Sequence, residues 1–129
     1  MKKFSLALLL IVLFAGSSFA QDAKAEADKQ FMQVTTIESV VSGGMGRSKM
    51  IITNPDGSQK ESELNNLFSL TGINFKNIQE NEQKIMQTLK SFTDEGWKLV
   101  QTTPLSLSPG NNGQGIFMTR YLLSKPVVK

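Results

Sequence analysis

"SGGMGRS", Ser42 to Ser48, gathers three glycines and an arginine in seven residues, and its composition suggests chemistry more than any other stretch. A loop that cradles phosphate collects backbone amides at a helix start and places a lysine and a hydroxyl at fixed offsets. Here the strand-like "KMIIT" follows and no Gly-Lys-Ser or Gly-Lys-Thr occurs, so the segment reads as a hairpin loop. Arg47 remains as an exposed cation able to meet an anion. Arg120, in the last apolar run, is the second candidate binding residue.

Composition removes most catalytic chemistry. The chain contains no His and no Cys, and so lacks an imidazole base, a thiol nucleophile and the usual transition-metal ligands. Ser-x-x-Lys and Gly-x-Ser-x-Gly do not occur. Asp56, Glu61 and Glu63 do not follow the ligand spacing of a calcium loop and read as turn and surface charges. The acids cluster on solvated turns and on the polar face of a helix rather than as a facing carboxylate pair. The expectation is a non-catalytic protein with no catalytic, cofactor-binding or metal residues.

The elements that would carry any site follow from periodicity. "FMQVTTIESVV", from Phe31, is rich in β-branched residues and reads as a long strand, its imperfect alternation suggesting a bulge near Thr36. "NPDG", Asn54 to Gly57, closes a hairpin between Lys49–Thr53 and roughly Ser58–Glu61. Leu64, Leu67 and Phe68 recur at helical spacing, and Gly72, Ile73 and Phe75 suggest extended chain; the reading is a short helical turn and an apolar segment on the core. From about Gln79 to Asp94, Ile85, Met86, Leu89 and Phe92 form the apolar stripe of one amphipathic helix, with Glu80 and Glu82 near its start. Gly96 then ends the helix in the left-handed region, and Trp97 clamps that end onto the sheet as "WKLVQTT" begins. Pro104 ends this strand. "IFMTRYLLS" carries apolar residues on both faces and reads as a central strand. The predicted fold is α+β: a small antiparallel sheet of about four strands with one main amphipathic helix on one face.

The first residues belong to another function. Lys2 and Lys3, the uncharged run Phe4 to Gly16, and small residues at Ser18 and Ala20 have the layout of an export signal cleaved between Ala20 and Gln21. Without a cysteine there, no lipid anchor attaches, so no stable membrane anchor follows signal removal. The organisation is then a signal over 1–20, a polar tether over 21–30, one α+β domain over 31–125 and a tail over 126–129. Of 14 basic residues, Lys2 and Lys3 leave with the signal, so 12 face 11 acids and the net charge falls from +3 to about +1. No cluster of Lys and Arg with interleaved aromatics appears, which excludes a nucleic-acid footprint. Stability must come from packing, with no disulfide to help.

The opening Val/Ile/Thr strand, the helix ending in "DEGWKLV", the glycine-rich loop and the closing "IFMTRYLL" resemble the domain of unknown function 4177 family. The specific segment is "EGWKLV", with Lys98 where the family has an acid and a long insertion between first strand and helix. The resemblance spans Phe31 to Leu123 and implies a small α+β fold in a short exported bacterial protein, with no activity attached. Two functions stay open: a periplasmic or secreted interaction module for a protein or envelope component, and a carrier of a small apolar ligand with a pocket under residues 64–78. A large exposed apolar patch favours the first, an enclosed apolar cavity the second.

Overall fold

The computed structural model describes residues 28–41, 46–107 and 115–127. The predicted signal, its predicted cleavage point at Ala20 and Gln21, and most of the predicted tether lie outside them. The elements are β1 (Lys29–Val40), β2 (Ser48–Thr53), β3 (Gln59–Leu64), β4 (Phe68–Ser69), β5 (Gly72–Ile73), α1 (Phe75–Asp94), β6 (Lys98–Leu107) and β7 (Gly115–Pro126). Five strands form one sheet in the order β3-β2-β1-β7-β6, and each neighbouring pair is antiparallel. The sheet is therefore larger than the predicted four strands. β3, "QKESEL", is the predicted second arm of the hairpin extended to Leu64; its charged sequence has little strand propensity, and pairing with β2 imposes its conformation.

Asn54–Gly57 closes the β2–β3 hairpin: Gly57 takes φ +83° and its amide donates to the Asn54 carbonyl at 2.9 Å. Asp56 Oδ1 accepts from the Ser58 hydroxyl and amide, which together hold its carboxyl below the ordinary range. β1 pairs with β2 and β7 without a register shift, so no bulge lies near Thr36. Its alternation is blurred because Thr35 and Thr36, on opposite faces, are both buried. The bulge falls instead in β6, where the register with β7 steps from Leu99 to Gln101 and leaves Val100 extra.

Between β3 and α1 the predicted helical turn is absent. β3 runs to Leu64, and β4 and β5 form a two-stranded ribbon that pairs Phe68 with Ile73. Leu70, Ile73 and Phe75 are exposed, so only part of this apolar segment reaches the core. The helix begins at Phe75, earlier than its apolar stripe, because Asn74 caps it: Asn74 Oδ1 accepts from the Asn77 amide at 3.2 Å. Glu80 and Glu82 consequently lie beyond the first turn, which contains no acid. Pro104 does not end β6, which continues to Leu107; an edge strand tolerates proline where the missing N–H would face solvent.

Directly paired residues share a face of the sheet. Met32 with Leu123, and Val34 with Ile52 and Tyr121, therefore face α1. The core is Met32, Val34, Met50, Leu64, Ile85, Trp97 and Leu123, with Ile52, Leu89, Phe92 and Tyr121 against it. Met86 does not join this core. It is 61 % exposed and overhangs the side of the helix nearest β6.

Candidate functional site

The end of α1 fixes where β6 starts. Gly96 takes φ +92°, its amide donates to the Thr93 carbonyl at 3.0 Å, and the Trp97 amide donates to the Phe92 carbonyl at 3.0 Å. This paired arrangement satisfies two carbonyls of the last turn and reverses the chain. Trp97 turns into the core at 7 % exposure. Lys125 Nζ lies 5.9 Å from its ring centroid and donates to the Glu95 carbonyl at 2.7 Å, tying β7 to the same corner.

From this corner β6 runs along the sheet as an edge, with nine of its ten residues exposed. Beside it lies a groove of about 500 Å³ lined by Met86, Leu89, Lys90, Thr93, Leu99, Tyr121 and Leu123. The groove exists because α1 sits over the middle of the sheet, and its Met86 and Leu89 do not cover Leu99. Lys90 at its rim is paired with Asp94 at 2.7 Å. Burial, then the nearby Glu82 and Glu38 charges, push the Tyr121 phenol above its ordinary pKa. Glu38, on the same face, is also raised: burial outweighs the hydrogen bond from Asn81, and Glu82 adds to the rise.

The two arginines occupy separate places. Arg120 lies on the sheet face away from α1, in a row with Ile51, Thr35 and Thr103, and borders a groove of about 350 Å³ with Leu105, Leu107, Ile116 and Met118. Arg47 lines an open cleft of about 620 Å³ beside residues 64–78. That cleft is neither enclosed nor apolar, and Asn65, Asn66 and Asn77 line it. Their carboxamides serve the fold: Asn66 Oδ1 accepts from the Ser39 and Ser48 hydroxyls, Asn77 Nδ2 donates to the Asn66 carbonyl, and Asn65 Nδ2 donates to Glu80. Ser39 and Ser48 have no basic side chain among these partners, so the cluster offers no activated nucleophile.

Among the described residues no group of three or more acids could hold a metal ion, and no helix is long and apolar enough to cross a membrane. The groove residues Met86, Leu99 and Tyr121 were missed by reasoning from sequence. A signal existed: Met86 adjoins Ile85 and widens the apolar stripe, and Leu99 and Val100 are consecutive apolar residues in a strand. Comparison with family models, curated proteins and solved structures gave no match.

Proposed function

We propose that this chain is a small, exported, non-catalytic interaction module that engages a protein or envelope component through the β6 edge and the groove beside it. The observation that carries this reading is the juxtaposition of an almost uncharged edge strand, with one side unpaired among the described residues, and an apolar groove opening along it. Such an edge offers main-chain hydrogen bonds, and such a groove accepts side chains. The open polar cleft at residues 64–78 supports this reading over a carrier of a small apolar ligand. The absence of His and Cys from the sequence supports a non-catalytic role. The likeness to the domain of unknown function 4177 family rests on Glu95–Val100, whose work here is to end α1 and start β6.

Export to the periplasm or medium rests on Lys2, Lys3, the apolar run and the small residues at Ser18 and Ala20. Intact mass of the protein recovered outside the cytoplasm should begin at Gln21, and a species beginning at Met1 would refute export with cleavage. A photo-crosslinking residue at Val100 should capture a discrete partner in cells, whereas one at Glu61 on β3 should not. Equal labelling from both positions would remove β6 as the recognition edge.

A further inference from the structure

The alternation of β6 and the charges around it define the partner more narrowly; this step rests on the reading of β6 as the recognition edge. On the α1 face, Leu99 borders the apolar groove in a row with Leu123, and Thr102 stands in a row with Tyr121. On the other face stand Lys98, Gln101 and Thr103, with Arg120 one strand further in, opposite Thr103. The charged residues of β6 and β7 are Lys98, Arg120 and Lys125, all cations. β2 and β3, at the opposite side of the sheet, mix Lys49 and Lys60 with Glu61 and Glu63.

We infer that the β6 edge over Lys98–Thr103 binds an extended protein segment that alternates apolar and acidic side chains. An added strand lies about 4.8 Å beyond β6 and sends successive side chains to opposite faces. One set then enters the groove beside Leu99, Leu89 and Met86. The other set meets Lys98 and the positive potential of Arg120. The charge pattern selects such a strand over a second copy of this chain, because an isologous contact would set the same cations against one another. Pro104 and the Val100 bulge limit pairing to a short stretch, so side chains rather than bare backbone decide what binds.

The test uses the chain purified after export and two blocked eight-residue peptides, one alternating valine with glutamate and one alternating valine with lysine. A third peptide holds four valines followed by four glutamates. The glutamate peptide should bind, weaken as salt is raised, and shift the amide resonances of Lys98–Thr103 together with the Met86 methyl. The lysine and block peptides should bind at least about tenfold more weakly. In the Lys98→Glu, Arg120→Glu variant, with native Trp97 emission as the check on folding, the preference should invert to lysine. The single Lys98→Glu variant should move in the same direction by less. Failure of all peptides to bind, a preference that does not invert, shifts confined to other strands, or a sedimenting dimer joined through β6 would each overturn the inference. Crosslinking at Val100 that persists through such a failure would keep the recognition edge and discard the alternating acidic partner.

Discussion

At one border of the sheet, β3 places Lys60, Glu61 and Glu63 within six residues; at the other, β6 has ten residues and Lys98 as its sole charge. Among the described residues both strands leave one side unpaired, and an unpaired strand edge is a template for other chains. β3 is guarded by charge, with Lys49 on β2 bonded to Glu61 across the ladder. β6 is guarded by shape, through the Val100 bulge and Pro104, and has an apolar groove along it. Covering charged side chains carries a desolvation cost whatever uncharged strand docks there, whereas bulge and proline permit a short strand of the right side chains. On the proposed reading, the two edges separate protection from recognition within one small sheet.

The largest expected effect probes the anchor of β6. Trp97→Ala leaves a cavity under the start of β6 and should cost about 3–5 kcal/mol, read from the urea midpoint. Before substitution, emission from this sole tryptophan should be blue-shifted and poorly quenched by iodide. A midpoint that does not move would mean that β6 is held some other way. A smaller loss, about 1 kcal/mol, is expected for Gly96→Ala, because a Cβ at φ +92° is strained. Its added Cβ would meet Lys125 only at an ordinary 3.7 Å, so backbone strain sets the cost. Amide exchange should accelerate along β6 before β3; equal acceleration at both edges would dissolve the contrast between them.

Glu38 lies on the central strand between the two edges, and its raised carboxyl gives a pH signature. A folded pKa above the unfolded value means that the group's contribution is fully present below the unfolded pKa and is lost as pH rises through the folded one. Glu38→Gln keeps an acceptor for Asn81 and should therefore stabilise the protein near pH 7 while changing little at about pH 3.5. A destabilised variant at both pH values would show that the ionised carboxylate is wanted. The smallest effect belongs to β3, where the buried Ser62 hydroxyl has no hydrogen-bond partner among the described residues. Ser62→Ala should be neutral or stabilising by about 0.5 kcal/mol, and a clear loss would mean that β3 depends on that hydroxyl.

The parts of this fold that local sequence decides were legible. "NPDG" closes its hairpin, "DEGW" ends the helix, and Ile85, Leu89 and Phe92 face the sheet. What was not legible depends on partners distant in sequence. β6 continues past Pro104 because β7 pairs with it as far as Leu107, and β4–β5 forms although Leu64, Leu67 and Phe68 have helical spacing. Asn74 announces the helix about three turns before Ile85, its first residue in the apolar core, and periodicity alone does not register a cap. The candidate site was the least visible, because a groove is made of what α1 fails to cover. Arg47 and Arg120 stood out as isolated cations, yet the structure sets them in different hollows. Arg120 and Lys98 share the sheet face away from α1, a relation that only the β6–β7 pairing reveals.

The pairing of β1 with β7 also bears on the order in which the molecule can assemble. The first strand lies at the centre of the sheet, and one whole side of it is filled by the last strand, Lys29 to Val40 against Gly115 to Pro126. Such contacts join opposite ends of the chain, so their formation closes a long loop and comes late and slowly. Any process that delivers this polypeptide N-terminus first, synthesis included, leaves β1 half-paired until Pro126 has emerged. Met32 and Val34 then wait for Leu123 and Tyr121, and the nascent chain remains open to the factors that escort unfolded polypeptides.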